Sequence, residues 1–552
     1  MWLLRLVSLL LLAGMIVWLQ SLALPFGPVL ETVYLAQPYD QKGLLKGGLY
    51  LFSYLLTVVS LLTLILVHRR WLALLLLLAG ALAFSIDVFV QRLGSSSNGL
   101  NLEILSLALN EAGKAGNLLV YAEPLLDAFL IFLAILIVLL VMRSVVFREV
   151  RLHSGRVLLL ALFGLLLAAG LVFRIPSIQS YAYPALFKLP IIGTEYWLRH
   201  REQQPRILPA SIQPQQAAQY RTLIWIIDES VSGDYLSLNG YAKPTTPFLD
   251  AYQHQPGFYN FGVVNPVSNC SNSSNLFLRI GLTTTLAGDS QQFRLSLPTI
   301  FAYAQRARYE THLLDAQTSE GELQNHLTTD DLQYIDVHKT LSRQHIPAER
   351  DALLGAYLRE QLQQDDQKRR FIVAVKWGAH WPYSLAYPPD KTVFEPTAHE
   401  SLTPMVEENR AILTNAYANV LRYTVDDFFR DLSQQPLQAD QLIFYTSDHG
   451  QSLFEQADSP LTHCHFAQDP QQLPQGEFRV PLFVLTPTAK QQFSPQAGRN
   501  YAQEQLFATT LQLFGYDREV YGRHGPTLYE GDVRPYAESF VLDSGLKIRF
   551  DK

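Results

Sequence analysis

Two apolar stretches of the sequence end abruptly on side chains that can ligate a metal ion. The stretch LIWII is followed at once by Asp228 and Glu229, and LIFYT is followed by Ser447, Asp448 and His449. Carboxylate oxygens and imidazole nitrogens are ligands of divalent cations such as zinc and manganese. Asp448 alone could equally cap a following helix. Because two acidic strand ends occur in one chain, the pattern favours a metal site.

The elements that would position these residues can also be read from the sequence. Four apolar stretches lack the alternation of a half-exposed strand, which is typical of strands covered on both faces: 222–227, 371–375, 442–446 and 481–485. Helical patterns such as PTIFAYAQRARY and YAQEQLFATTLQLFGY lie between them. This alternation predicts an α/β domain with a mostly parallel sheet between helical layers. Ligands of such sheets bind beyond the carboxyl ends of the strands.

The first third of the 552-residue chain has a different composition, since charged residues are rare before about residue 174. Crossing a bilayer takes about 20 apolar residues. Five segments are long enough and predict a multi-pass α-helical membrane domain: 2–24, 47–67, 71–90, 119–142 and 157–173. The net charge of −6 gives no general attraction to nucleic acid, so no nucleic-acid partner is expected.

The distribution of positive charge predicts the orientation of these spans. Arg69 and Arg70 lie between spans two and three, and four arginines lie between spans four and five. Positively charged short loops stay in the cytoplasm. The N-terminus is therefore expected inside, and everything after Arg174 outside, in the periplasm of a bacterial cell.

Three parts of the chain follow from these patterns. Residues 1–174 form the predicted transmembrane domain, residues 175–220 an interfacial segment and linker rich in Pro, Gln and aromatic residues, and residues 221–552 the soluble catalytic domain. The Tyr and Trp side chains of the middle segment suit a position against lipid headgroups.

Three motifs of the soluble domain resemble one bacterial enzyme family. SDHGQSL, IIDESVSGDYLSLNGYAKPTTPFL and KWGAHWPYSLAYPPDKTVFEP, together with the five-span arrangement, resemble the phosphoethanolamine transferases of the alkaline phosphatase/sulfatase superfamily. The resemblance implies a membrane-anchored enzyme of the Gram-negative inner membrane with a periplasmic catalytic domain. Such an enzyme takes phosphoethanolamine from phosphatidylethanolamine and passes it, through a covalent phospho-enzyme, to an envelope glycolipid or glycan. The acceptor would be lipid A, the lipopolysaccharide core or a periplasmic glucan.

The resemblance also implies roles for individual residues around the metal. The family's ligand glutamate matches Glu229, and its Asp-His pair matches Asp448 and His449. Zinc is the expected cofactor, with manganese or another divalent cation as the alternative.

Histidines of the family match further positions of this chain. The family's SHGP histidine matches His380, which would contact the transferred phosphate or a second metal. A further family histidine matches the LTHCHF stretch, where His463 fits the spacing better than His465 does. These histidines are therefore expected at the substrate.

The nucleophile is where this chain departs from the family. The family has a threonine followed by Ser-x-Pro, whereas NPVSNCSNSSNLFLRIGL has no threonine and no such proline; the hydroxyls after its cysteine are those of Ser271, Ser273 and Ser274. A Thr-x-x-Ser spacing of other superfamily members favours Ser271, which would also ligate the metal, while counting from the family's cysteine favours Ser274. A metal-bound serine hydroxyl can act as the nucleophile. The alternative is a turn that only shapes the loop.

Other functions fit the same architecture. One alternative is transfer of phosphoglycerol, and another is hydrolysis of a phosphate or sulfate ester. A formylglycine-type sulfatase would need Cys-x-Pro-x-Arg or Ser-x-Pro-x-Arg, which CSNSS and SNSSN do not provide. A non-catalytic envelope lipid sensor is the third alternative, and the retained metal ligands count against it.

A phospholipid donor would need a binding place near the membrane. Asn110 and Glu111, in the outer loop before span four, are the candidates for contact with an ammonium headgroup. Glu123 and Asp127 near the start of that span are similar candidates, because acidic groups at membrane depth are costly without a role. An ordinary polar loop would explain the same residues.

The only two cysteines, Cys270 and Cys464, each adjoin a candidate site residue. Both lie on the side of the membrane where disulfides persist. If the serine turn and the histidine loop face the same metal, the two thiols would come within bridging range. The alternative is two unrelated buried thiols.

Overall fold

The computed structural model divides into two compact units, Met1–Arg201 and Glu202–Lys552. In the first unit the described residues are 52, 55–56, 59–60, 63, 67, 69–92, 122–141, 143–144, 153–173 and 193. In the second unit they are 205–284, 286, 296–318, 323–341, 345–398, 403, 405–455, 462–465, 473–487, 493–495, 500–530, 539–541 and 547–549.

The first unit contains three long helices within its described residues. They are α1 (Arg70–Arg92), α2 (Ala122–Val141) and α3 (Ser154–Phe173), and they overlap the third, fourth and fifth predicted spans. None of the helices in the described ranges combines the length and the hydropathy that crossing a bilayer needs. The first predicted span and most of the second lie outside the described residues. The five-span arrangement therefore stays a prediction.

The second unit is built on a mixed, mostly parallel sheet, as the strand and helix pattern predicts. Its seven described strands are β1 (Thr222–Asp228), β2 (Phe258–Val264), β3 (Glu310–Asp315), β4 (Val337–Thr340), β5 (Arg370–Val375), β6 (Gln441–Ser447) and β7 (Val480–Leu485). Their order in the sheet is β2-β7-β6-β1-β5-β3-β4. Strand β7 runs antiparallel to both neighbours, and the other pairs are parallel. Two short strands, β8 (Ser539–Val541) and β9 (Lys547–Arg549), pair separately.

Helices cover both faces of the sheet. They are α4 (Pro247–Tyr252), α5 (Ser271–Ile280), α6 (Ile300–Arg306), α7 (Pro347–Gln363), α8 (Arg410–Leu421), α9 (Phe428–Leu432), α10 (Gln505–Leu513) and α11 (Arg518–Tyr521). Helices α6 and α10 contribute to the apolar core on one face, and α7 and α8 to the core on the other.

The central strand β1 shows why its sequence does not alternate. Its side chains point to opposite faces in turn, so Leu223, Trp225 and Ile227 join one core while Ile224 and Ile226 join the other. Every residue of β1 is buried. A strand with a core on each side needs apolar residues at both sets of positions.

The parallel pairing of β1 with β6 decides where the candidate ligands leave the sheet. Asp228 is in register with Ser447, the last residue of β6. The next residues of both strands, Glu229 on one side and Asp448 and His449 on the other, therefore leave the sheet at the same edge. This is the edge at which α/β sheets bind ligands.

Ile224 tests the importance of this central strand for stability. Replacing it by Ala leaves a cavity in a site with no solvent exposure, and we expect a loss of about 2–5 kcal/mol of unfolding free energy. Ile346 is the matched control, because it is 62% exposed and its replacement by Ala should cost no more than about 0.5 kcal/mol. Urea denaturation followed by circular dichroism measures both. Equal losses in the two variants would contradict this account of the core.

Candidate metal centre and catalytic site

Three predicted ligands meet beyond the ends of β1 and β6. One ligand atom each of Glu229, Asp448 and His449 lies within 4.8 Å of the other two. The Nε2 atom of His449 is 3.3 Å from Glu229 Oε1 and 3.8 Å from Asp448 Oδ1. All three side chains are almost completely buried. Two carboxylates and one imidazole converging on one point are a donor set suited to zinc.

The imidazole of His449 is oriented by its own backbone. Its Nδ1–H donates to the Gly450 carbonyl oxygen at 2.7 Å. This hydrogen bond directs Nε2 toward the carboxylates, which is how proteins commonly present a histidine ligand to a metal. The tautomer of His449 therefore fits a metal ligand.

The electrostatics of the three groups also fit a cation. Burial opposes ionisation of Glu229, but the hydrogen bond and charge of His449 and the charge of His380 hold its pKa well below the usual value. Burial and the charge of Glu229 raise the pKa of Asp448 well above its usual value. The pKa of His449 rises to about 9, because the two carboxylates outweigh its burial. A divalent cation would supply the positive charge that both carboxylates need.

Ser271 lies directly against this group. Its Oγ is 3.1 and 3.2 Å from the two oxygens of Glu229 and 3.0 Å from His449 Nε2. Ser271 is also the first residue of helix α5, where backbone N–H groups and the helix dipole favour negative charge. The hydroxyl is therefore placed where an attacking oxygen and a phosphate could be stabilised.

The other two candidate serines are turned away from the group. The Oγ of Ser273 hydrogen-bonds that of Ser268 at 2.7 Å, and the Oγ of Ser274 donates to the Ser268 carbonyl at 2.9 Å. Both side chains are fully buried. Of the three serines, the structure brings only Ser271 to the three ligands.

The two histidines of the LTHCHF stretch face different ways. The ring of His463 stacks on that of His449, with 4.2 Å between centroids and 20° between planes. Burial and the charge of His449 hold the pKa of His463 well below its usual value. His465 instead hydrogen-bonds the buried carboxylate of Glu477 through Nδ1. The structure therefore places His463, and not His465, beside the ligands.

His380 lies on the loop after β5. Its ring packs on Trp377 with 4.7 Å between centroids, and its Nδ1–H donates to the Trp381 carbonyl at 2.6 Å. Its charge contributes to lowering the pKa of Glu229. His380 therefore lies within electrostatic reach of the candidate metal centre.

Polar residues that the sequence analysis missed support the ligands. Gln317 Nε2 donates to Glu229 Oε2 and to the Lys376 carbonyl, both at 2.9 Å. Asn275, one turn along α5 from Ser271, donates to Asp448 Oδ2 at 3.3 Å. Neither residue lies in one of the family motifs, so no local signal marked it.

Lys376 was also missed, although it directly follows the apolar run of β5. Its ammonium has no solvent exposure and lies 2.6 Å from Asp228 Oδ2 and 3.5 Å from Asp351 Oδ2. Burial raises the pKa of Asp228 to about 6, against the opposing charge of Lys376. Tyr445 donates to the same Asp228 oxygen at 2.8 Å. This buried network fixes the end of β1 from which Glu229 emerges.

The two cysteines form a disulfide in the structure, with 4.7 Å between the Cα atoms of Cys270 and Cys464. The bridge spans 194 residues of sequence. It joins the residue before Ser271 to the residue after His463. The start of α5 and the histidine loop are therefore covalently linked beside the ligands.

The candidate lipid-binding residues give no structural result. Asn110 and Glu111 lie outside the described residues. Glu123 belongs to helix α2, and its side chain is outside the described set, while Asp127 of the same helix is half-buried. Contact of any of them with a lipid headgroup stays a prediction.

Comparison with known proteins places the second unit in a family. Residues 221–516 match the family model described as Sulfatase. The chain is 25% identical over 281 residues to Kdo(2)-lipid A phosphoethanolamine 7''-transferase of Salmonella typhimurium, covering 51% of this chain and 46% of that protein. It is 25% identical over 315 residues to phosphoethanolamine transferase EptC of Escherichia coli O18:K1:H7, covering 54% and 52%. The chain thus spans about half the length of these curated relatives.

One solved structure resembles the chain over most of its length. It is the integral membrane protein lipooligosaccharide phosphoethanolamine transferase A from Neisseria meningitidis, with a TM-score of 0.61 and 18% sequence identity. The superposition covers 92% of this chain and 97% of that one. At this identity the likeness establishes a shared fold.

Lys376 offers a test of the buried network behind the site. Replacing it by Met leaves Asp228 and Asp351 buried without their cation, and we expect a loss of about 3–5 kcal/mol of unfolding free energy. Lys368→Met is the matched control, since that lysine is 62% exposed and pairs with Glu310 at the surface. Its loss should be no more than about 1 kcal/mol. Urea denaturation measures both, and an unchanged Lys376→Met midpoint would argue against the network.

Proposed function

The chain belongs to the sulfatase family, and we propose that within this family it is a membrane-anchored phosphoethanolamine transferase. The observation that carries the proposal is the position of Ser271. Its hydroxyl lies at the start of a helix and within hydrogen-bonding distance of both Glu229 and His449. A nucleophile beside a cluster of metal ligands is the arrangement needed for phosphoryl transfer through a covalent enzyme intermediate.

The proposed metal site consists of Glu229, Asp448, His449 and the Ser271 hydroxyl. Zinc is the expected ion, because the set combines carboxylates with an imidazole, and manganese is the alternative. When bound, such a cation lowers the pKa of the serine hydroxyl and stabilises negative charge on the transferred phosphate.

In the first half-reaction, Ser271 acts as the nucleophile toward phosphatidylethanolamine. Its Oγ forms a bond to phosphorus while the bond from phosphorus to the glycerol oxygen breaks. Diacylglycerol leaves with a proton that balances the one lost from Ser271. The N-terminus of α5 points its backbone N–H groups toward the phosphate and favours the charge that develops there.

In the second half-reaction, an acceptor hydroxyl attacks the phosphorus of the phosphoserine. The bond between phosphorus and Ser271 Oγ breaks, and the serine regains a proton as the acceptor loses one. His463 is the proposed group to move this proton, because its ring stacks on that of His449 beside the ligands. His380 is the proposed contact to the phosphate oxygens.

The proposed donor and acceptor follow from the relatives. Two proteins similar to this chain carry names that specify phosphoethanolamine transfer, one of them to Kdo(2)-lipid A. We propose phosphatidylethanolamine as donor and an envelope glycolipid or glycan as acceptor, with the enzyme in a bacterial inner membrane and its catalytic unit in the periplasm. Asn110 and Glu111 are the proposed headgroup contacts.

Two observations favour catalysis over a lipid-sensing role. The three ligands are all present, and a serine hydroxyl lies against them.

Hydrolysis through formylglycine is disfavoured. Such enzymes need a Cys or Ser followed by x-Pro-x-Arg, and neither Cys270 nor Ser271 is followed by that sequence. Phosphoglycerol transfer would use the same geometry. The mass of the group attached to the enzyme distinguishes it from phosphoethanolamine transfer.

Metal binding gives the first test. Asp448→Ala removes a buried ligand, and we expect zinc content to fall from about one ion per chain to near zero, with loss of activity. Asp426→Ala is the control, because that buried aspartate accepts hydrogen bonds from Phe248 and Leu249 and is not among the ligands. Inductively coupled plasma mass spectrometry of the purified proteins measures the zinc content per chain. Full zinc occupancy in Asp448→Ala would contradict the ligand assignment.

The nucleophile gives the second test. Ser271→Ala should lower transfer from phosphatidylethanolamine by about a thousandfold or more, because Ser271 is the only one of the three candidate serines whose hydroxyl contacts both Glu229 and His449. The controls are Ser273→Ala and Ser274→Ala, which should retain activity within about tenfold if they fold. Peptide mass spectrometry after incubation with phosphatidylethanolamine vesicles should find phosphoethanolamine on Ser271. An adduct on Ser273 or Ser274 would refute the assignment, and a phosphoglycerol mass would change the proposed reaction.

A further inference from the structure

Glu477 is a buried carboxylate that the proposed reaction does not use. It follows Gly476 just before strand β7 and has no solvent exposure. It is not one of the three converging metal ligands. A carboxyl group is costly to bury unless its oxygens are hydrogen-bonded, so the partners of Glu477 indicate why it is there.

The first partner belongs to the segment that carries the nucleophile. Asn269 Nδ2 donates to Glu477 Oε2 at 2.7 Å. Asn269 lies two residues before Ser271 and is itself fully buried. Glu477 therefore holds the chain directly ahead of helix α5.

The second partner belongs to the histidine loop. The backbone N–H of His465 donates to Glu477 Oε2 at 3.2 Å, and His465 Nδ1 hydrogen-bonds Oε1. His465 lies two residues after His463. The same carboxylate therefore also holds the loop that stacks His463 on His449.

These first two segments also contact each other. Asn269 Nδ2 donates to the His465 carbonyl at 2.8 Å, and the Cys464 N–H donates to the Asn269 carbonyl at 3.0 Å. The disulfide between Cys270 and Cys464 lies in the same place. Glu477 thus completes a closed set of contacts around the bridge.

The third segment is the one that carries the metal-ligating Asp-His pair. The N–H of Gly450 donates to the Glu477 carbonyl at 2.9 Å, and the N–H of Gln451 donates to the Gly476 carbonyl at 3.0 Å. A Cβ atom at Gly450 would lie 2.0 Å from the Gly476 oxygen. The backbone next to His449 can therefore approach Glu477 only because residue 450 is glycine.

We propose that Glu477 is a positioning residue: its carboxylate holds the segments of Ser271 and His463 in register, and its backbone carbonyl joins them to the segment of His449. Glu477 thereby links the segments that carry Ser271, His449 and His463. The disulfide connects only two of the three and does not by itself orient the His463 ring. The catalytic consequence rests on the proposed transferase function, whereas the structural consequence does not.

A reduction experiment on the folded, full-length protein tests the structural part without any substrate. Dithiothreitol reduces the Cys270–Cys464 bridge, and quantification of labelled thiols gives the rate. In Glu477→Ala the histidine loop loses two hydrogen bonds and Asn269 loses one, so we expect reduction about tenfold faster than in the wild type. Glu477→Gln should stay near the wild-type rate, because its amide oxygen can still accept from Asn269 and the His465 N–H.

Asp426→Ala controls for a general loss of stability, since it removes another buried carboxylate with two backbone donors. Its bridge should be reduced at the wild-type rate. If Glu477→Ala matched the wild type, or if Asp426→Ala showed the same acceleration, Glu477 would not be the residue that fastens these segments.

A double-mutant comparison tests the catalytic part with phosphatidylethanolamine vesicles. Glu477→Ala should lower kcat by about tenfold or more with little change in KM, because the alignment of reacting groups is lost rather than donor binding. In a His463→Ala background the same change should have a clearly smaller effect, since part of the role of Glu477 is exerted through His463. Fully multiplicative effects would overturn this role. If the wild type shows no transfer, the proposed function fails while the reduction rates still decide the structural role.

Discussion

Two buried carboxylates, Glu229 and Asp448, lie close together at the edge of the sheet. The surrounding structure depends on how the repulsion between their charges is offset. Burial and the charge of Glu229 disfavour ionisation of Asp448. Donors around them offset part of this cost: the backbone N–H groups of Ser230 and His449 donate to Asp448, and Gln317 donates to Glu229. These contacts orient the oxygens toward a common point but bring little positive charge. A divalent cation at that point would complete the balance, which is the physical reason to regard the cluster as a metal centre.

The buried network next to the site contributes specific contacts more than stability. Lys376 and Asp228 form an ion pair with no solvent exposure, and buried ion pairs are seldom more stabilising than apolar residues of similar size. Their value lies in fixing geometry, because each partner tolerates only a few arrangements of the other. The same reasoning applies to the contacts of Glu477 with Asn269 and His465. The site is thus enclosed by polar groups whose contacts specify position more than they add free energy.

The phosphoethanolamine transferases that the sequence resembles have a threonine where this chain has serine, and the serine hydroxyl leaves the same chemistry available. The hydroxyl of Ser271 has the same reach to the ligands that a threonine hydroxyl would have, and the helix that it begins supplies the same backbone donors. What the chain loses is the restriction that a β-branched side chain places on the rotamer of the nucleophile. The adjacent disulfide and the contacts of Asn269 constrain the backbone at this position instead.

The sequence alone determined the α/β class, four of the seven described strands of the main sheet and the candidate ligands, because these depend on local patterns: apolar runs covered on both faces, and acidic residues at their carboxyl ends. It could not decide among Ser271, Ser273 and Ser274, since the direction of each hydroxyl depends on how helix α5 is docked. It favoured His463 over His465 by spacing, but their opposite directions depend on the left-handed backbone at Cys464 between them. Lys376 lies in one of the quoted motifs, but neither it nor Glu477 could be given a role from the sequence, because their partners Asp228 and Asn269 are distant along the chain. Only the tertiary structure brings such partners together, and contacts of that kind decide which of the available groups face the candidate metal centre.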